Sequence, residues 1–216
     1  MGTITRSFAN NITTSGVLLP ASLTNASIAN VTAYNASVAT GGMVLLSTQT
    51  ASNSASISFT TGIDSTYKEY QFYFIDINPA NNGAAFTFNM STDSGSNYNV
   101  TKTSTVFVTW HPENDSATSL AYTSSLDLAQ STAFQNISHD IGNGADESAA
   151  GYISLFNPAS TTYVKHFISN FNNTYVSYTQ NQYVAGYGNT TSAINAVQFK
   201  MSSGNMDGTI LMYGIV

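Results

Sequence analysis

The sequence predicts an all-β protein: an antiparallel β-sandwich, jelly-roll-like, with an extended N-terminal arm and at most one short helix. Three observations lead there. From Met43 onward, short apolar and aromatic runs recur at close intervals, separated by clusters of Asn, Asp, Ser and Gly, which is the spacing of a sandwich or barrel. Only 7% of residues are Asp, Glu, Lys or Arg, against roughly a quarter in ordinary soluble proteins, so solubility rests on Asn, Ser, Thr, Gln and Tyr. Cysteine is absent from the 216 residues, so no disulfide replaces a core, and the chain is long enough to build one.

Composition divides the chain at Gly41-Gly42. Residues 1–42 hold Pro20, no acidic residue, and an echo of Asn25-Ala-Ser-Ile-Ala in Asn35-Ala-Ser-Val-Ala. Their apolar side chains are sparse and small, too few to offset the entropy of ordering the segment by itself. The expectation is an extended arm that docks on another chain, burying Phe8, Ile12, Val17, Leu18, Leu19, Leu23 and Ile28. A disordered tail or a simple edge strand is the other reading of the same composition. Residues 43–216 make the sandwich.

Ten strands are expected there: Met43 to Thr48, Ser56 to Thr61, Tyr70 to Ile77, Ala84 to Met90, Thr103 to Trp110, Gly151 to Phe156, Tyr163 to Ser169, Tyr175 to Val184, Ala193 to Met201 and Gly208 to Ile215. The stretch Tyr67 to Met90 organises them. Its first run is apolar on both faces, as a doubly buried central strand would be, and Asn78-Pro79 stops it. Asn81-Asn82-Gly83 then supplies turn chemistry, and in the second run Phe86, Phe88 and Met90 alternate with Thr87 and Asn89. That pattern predicts a central hairpin with a half-buried second strand. Asn157-Pro158 repeats the Asn-Pro stop and suggests an equivalent place in the other sheet. Leu126 to Ile137 is the one helical candidate, weakened by Ser131 and Thr132.

Charge excludes some functions. The net charge is −6, and the five basic residues Arg6, Lys68, Lys102, Lys165 and Lys200 are scattered singly, so phosphate-driven binding to nucleic acid is not expected. Residues 1–19 lack the apolar core of a secretory signal, and no run has the length of a membrane span. The ten Asn-x-Ser/Thr sequons then read as a by-product of composition. A nearly uncharged surface meets its own copies without repulsion, so assembly is expected.

No motif names a reaction, and a non-enzymatic protein without cofactor or metal is expected. His111, His139 and His166 form no i, i+2 pair on a strand, as a strand-borne metal site would require; they read as turn and strand surface residues. The loop Asp140 to Glu147 gathers three carboxylates around two glycines, open to calcium but without EF-hand spacing. Glu69, Asp76, Glu113, Asp115, Asp146 and Glu147 show no spacing that singles out a glycosidase pair, and no Gly-x-Ser-x-Gly elbow occurs. The remaining candidates are aromatic. Trp110, Tyr175, Tyr178 and Tyr183, set among Asn and Gln, suit either a subunit contact or a glycan surface.

Several runs resemble a known family. They are Tyr70-Gln-Phe-Tyr-Phe, Ser91-Thr-Asp-Ser-Gly-Ser-Asn-Tyr, Leu155-Phe-Asn-Pro-Ala-Ser-Thr-Thr-Tyr-Val-Lys-His-Phe, and Ser203-Gly-Asn followed by Gly208-Thr-Ile and Tyr213-Gly-Ile. Over residues 42–215 the chain resembles virion structural proteins of tailed bacteriophages from aquatic habitats. The resemblance implies a β-sandwich displayed on the virion as a short tail fibre or other appendage, anchored by the arm. It leaves open a capsid decoration or cement protein, and a carbohydrate-binding receptor-recognition module. It transfers no catalytic residue. The expected partners are further copies of the chain, as a homotrimer, and other virion proteins of the head or tail, with synthesis in the host cytoplasm.

Overall fold

The computed structural model describes residues 42–216, and the proposed arm with its docking residues lies outside them. Twelve strands and no helix make up this part: β1 Met43–Ser54, β2 Ile57–Phe59, β3 Glu69–Pro79, β4 Ala84–Ser91, β5 Lys102–Pro112, β6 Ser119–Tyr122, β7 Gln135–Ile141, β8 Ala149–Phe156, β9 Lys165–Tyr175, β10 Tyr178–Gly188, β11 Ala196–Met201 and β12 Met206–Ile215. They form two antiparallel sheets, ordered β1-β12-β3-β8-β9-β10-β5-β6 and β2-β11-β4-β7.

Eight of these strands carry the topology. The orders β1-β12-β3-β8 and β2-β11-β4-β7 are those of a jelly roll once two additions are set aside. The additions are β5-β6, entered between β4 and β7, and β9-β10, entered between β8 and β11. Both extend the larger sheet beyond β8, so that sheet outgrows the smaller one.

The core lies between the sheets. From the larger sheet Tyr70, Phe72, Phe74 and Ile77 point inward, and from the smaller Phe86, Phe88, Met90 and Phe199; all are at most 2% exposed. Their alternation with Gln71, Tyr73 and Ile75 is the period of two that a pleated strand imposes. Rings of Phe74 and Phe199 meet edge to face at 4.9 Å, and those of Phe88 and Phe167 likewise at 4.9 Å.

All ten expected strands are present, and the missed strands are β6 and β7. The central hairpin is not. Residues 80–83 carry the chain from β3 in the larger sheet to β4 in the smaller, so the two runs face each other across the core instead of pairing edge to edge. The cause is the inward aromatic face of both runs, which must meet across the interface to be dry. Tyr70 to Ile77 is central, between β12 and β8, yet buried on one face only: Ile75 is 45% exposed. β4 departs the other way, since Thr87 and Asn89 are buried as well. Asn89 donates through Nδ2 to the carbonyls of Tyr98 and Thr132, in segments lying over its outer side.

Asn157-Pro158 and Asn78-Pro79 end neighbouring antiparallel strands of one sheet, at opposite ends, and are not equivalents in two sheets. Leu126 to Ile137 is turn and strand, with no helix. Its backbone bonds go to β5 instead: Lys102 N donates to Ser131 O at 2.7 Å, Ser131 N to Lys102 O at 3.0 Å and Leu128 N to Ser104 Oγ at 2.9 Å.

Gly151 is required by a close approach. A Cβ there would stand 2.3 Å from the Asn170 carbonyl oxygen and 2.8 Å from Phe171 Cα, both backbone atoms of β9. Gly151→Ala is expected to cost about 1–3 kcal/mol by forcing β8 off β9, read as a fall in the urea midpoint; an unchanged midpoint would show the strands can part freely.

Candidate functional site

The outgrown sheet presents two features, one on each face. On its outer face, register partners line up across all eight strands: Thr48, Leu211, Tyr73, Tyr152, Asn170, Tyr183, Phe107 and Tyr122. The next row runs Leu45, Tyr213, Gln71, Ser154, Ile168, Ala185 and Thr105. Neither row contains Asp, Glu, Lys or Arg. Rings meet along the first row and between the two: Tyr73 lies 6.1 Å from Tyr152 in its own row and 5.7 Å from Tyr213 in the next, and Phe107 stacks on Tyr183 at 4.9 Å and 16°. Leu45, Ile75, Phe107, Tyr122, Ile168 and Tyr183 are all more than a third exposed. A row of rigid, partly apolar side chains without charge is chemistry suited to contact with another protein.

On the inner face, β10, β5 and β6 run past β7, the edge of the smaller sheet, and leave a recess of about 370 Å³. Val108 and Trp110 of β5, Tyr178 and Gln180 of β10, Ser119 and Ala121 of β6, Thr123, and His139 and Asp140 of β7 line it. The indole of Trp110 and the ring of Tyr178 lie 6.2 Å apart at 56°. Tyr175 packs edge-on against Tyr178 at 5.5 Å. Burial raises the Tyr178 hydroxyl above its usual pKa, with the Asp140 charge adding to the effect.

A bulge in β7 brings His139 and Asp140 there. Ile141 pairs with Ala84 and Ser138 with Phe86, so two residues of β7 oppose the single Ala85. Bulges of this kind re-aim side chains, and Asp140 takes a φ of 50° to complete it. The imidazole is held between two glutamines. Gln182 Oε1 accepts from His139 N at 3.1 Å and stands 2.7 Å from Nδ1, while Gln182 Nε2 donates to Asn136 O. Nδ1 therefore faces an acceptor, and Nε2 stands 3.0 Å from Gln180 Nε2 and 3.7 Å from Asp140 Oδ2. Among the described residues Gln180 Oε1 meets no donor.

The four aromatic candidates are thus divided. Trp110 and Tyr178 share the recess with Tyr175 at its flank, whereas Tyr183 belongs to the outer row. The sequence presents Asp140 only as part of an acidic loop open to calcium, His139 as a surface residue and Gln180 not at all, since only the bulge and the inter-sheet packing bring the three together. His111 and His166 are exposed, as expected of turn and strand surface residues, and His139 is not. In the acidic loop the Glu147 carboxylate turns inward, accepting from Gly144 N at 2.7 Å and Val176 N at 2.5 Å. Among the described residues no three His, Cys, Asp or Glu side chains are gathered to hold a metal.

Comparison with protein-family models, curated proteins and solved structures finds no match.

Proposed function

We propose that the chain is a non-enzymatic structural protein of a bacteriophage virion, a surface appendage or decoration protein that associates with its own copies through the outer face of the larger sheet. The uncharged aromatic row across all eight strands carries this reading. Such a face loses little desolvation energy when covered and gains from each ring removed from water. The jelly-roll order adds a fold-level analogy only, because capsid and lectin domains share it with other functions. The sequence resemblance points the same way, and the arm supplies the anchor to the particle.

Two experiments test the reading. A chain lacking residues 2–39 is expected to keep its sandwich and fail to join particles; incorporation at the full-length level would overturn the docking role. Placing carboxylates in the row, as Phe107→Asp with Tyr183→Asp, is expected to shift the sedimentation profile from oligomer to monomer. A full-length chain that sediments as a monomer before substitution would remove the self-association. A label at Val216, which is 74% exposed, then separates decoration of the head from a place at the tail vertex.

A further inference from the structure

The recess on the opposite face of the same sheet has chemistry that assembly does not use. We infer that it is a binding site for one or two residues of an uncharged saccharide, with Trp110 and Tyr178 as the stacking surfaces and Asp140 as the hydroxyl acceptor. The volume of about 370 Å³ is at the small end of the range for ligand sites, roughly 300–1,000 Å³. Two flat rings set at 56° offer apolar faces to the C–H side of a pyranose at low entropic cost.

The polar groups point to a ligand rich in donors. Asp140 contributes a half-exposed carboxylate that only accepts hydrogen bonds. Gln180 is 4% exposed and lies 3.0 Å from the His139 ring, so it fixes the wall against which Asp140 stands. Ser119 adds a hydroxyl at the rim. Among the described residues of the lining Asp140 is the one carboxylate, with no Lys or Arg beside it, and with a net charge of −6 it disfavours phosphates and acidic sugars.

Trp110 is the only tryptophan of the chain, so its emission reports on the recess directly. The full chain is titrated with glucose, galactose, mannose and N-acetylglucosamine and with disaccharides of each. The expected result is a saturable emission change with at least one of them. Asp140→Asn and Tyr178→Ala should each weaken it by roughly tenfold, the equivalent of one charged hydrogen bond or one stacking face, and Tyr163→Ala, 70% exposed and away from the recess, should leave it unchanged. Saturation-transfer NMR on the sugar protons gives the same answer without relying on the indole. The inference is overturned if no neutral saccharide saturates by either method, or if Asp140→Asn, folded by circular dichroism, binds as tightly as the parent. A response to tetramethylammonium in place of sugars would also overturn it, marking the two rings and the carboxylate as a cation site. None of these outcomes depends on particle assembly.

Discussion

Phe199→Ala is expected to lower the unfolding free energy by about 3–5 kcal/mol, the range for truncating a fully buried aromatic residue. Phe199 sits on β11, in the middle of the smaller sheet, and its ring meets those of Phe59, Phe72, Phe74, Phe86 and Phe88 at 6.2, 5.3, 4.9, 6.0 and 6.4 Å. Two of these, Phe72 and Phe74, belong to the opposite sheet, so the ring joins the layers. Domains of this size are stable by only about 5–15 kcal/mol, and the variant should lose a large part of that in urea titration. Ile75→Ala, on the outer face of β3, should stay within about 1 kcal/mol. Equal losses at the two positions would mean that the interface between the sheets is not where stability resides.

Lys102→Met is expected to abolish most of the pH dependence of stability between pH 7 and 10. Lys102 is fully buried with its Nζ 2.5 Å from Asn89 Oδ1 and 2.8 Å from the Val100 carbonyl oxygen. Both acceptors are neutral, and burial lowers its pKa from 10.5 to about 7. Above pH 10.5 the lysine is uncharged folded or unfolded and has no effect. As pH falls toward 7 the unfolded chain binds a proton that the folded one does not, so stability is lost, and below pH 7 the loss is complete. At 1.36 kcal/mol for each pKa unit the loss approaches roughly 4–5 kcal/mol. The native chain should therefore gain stability as pH rises from 6 to 10, while Lys102→Met keeps only the smaller rise that Lys165 contributes. At pH 6 the variant should be the more stable, less a penalty of about 1–3 kcal/mol for the Val100 carbonyl, which loses its lysine donor, while Asn89 Oδ1 still accepts from Met90 N. Parallel profiles for the two chains would show that Lys102 keeps its charge inside the sandwich. Lys165, whose Nζ bonds the carbonyls of Tyr163 and Thr190, is also lowered by burial and contributes in the same direction.

These two lysines show where sequence reading stopped. As two of five scattered basic residues they look like solvated surface groups, and nothing in their neighbours marks them as buried. Burial follows from tertiary placement: Lys102 opens β5 on its inward face, beneath the bridge to Ser131. The helix expected over Leu126 to Ile137 failed for a related reason. Its backbone groups found better partners on β5 than a weak helix could provide, and long-range pairing overrode local propensity. The division of Trp110 and Tyr178 from Tyr183 was half legible. Tyr178 and Tyr183 are an odd number of residues apart on one strand, so they face opposite ways, but which of them meets the recess depends on where the smaller sheet ends.

By itself the sequence determined the class of fold and most of its strands, because period-two alternation and turn residues are local properties that survive any arrangement of the sheets. It also determined the scarcity of charge on which the assembly reading rests. Sheet membership was decided only in three dimensions. The run from Tyr67 to Met90 reads as a hairpin under local rules, and it crosses between sheets because two aromatic faces bury more surface against each other than side by side. The same applies to the recess, whose residues come from four strands and meet only because the sheet of eight extends beyond the sheet of four.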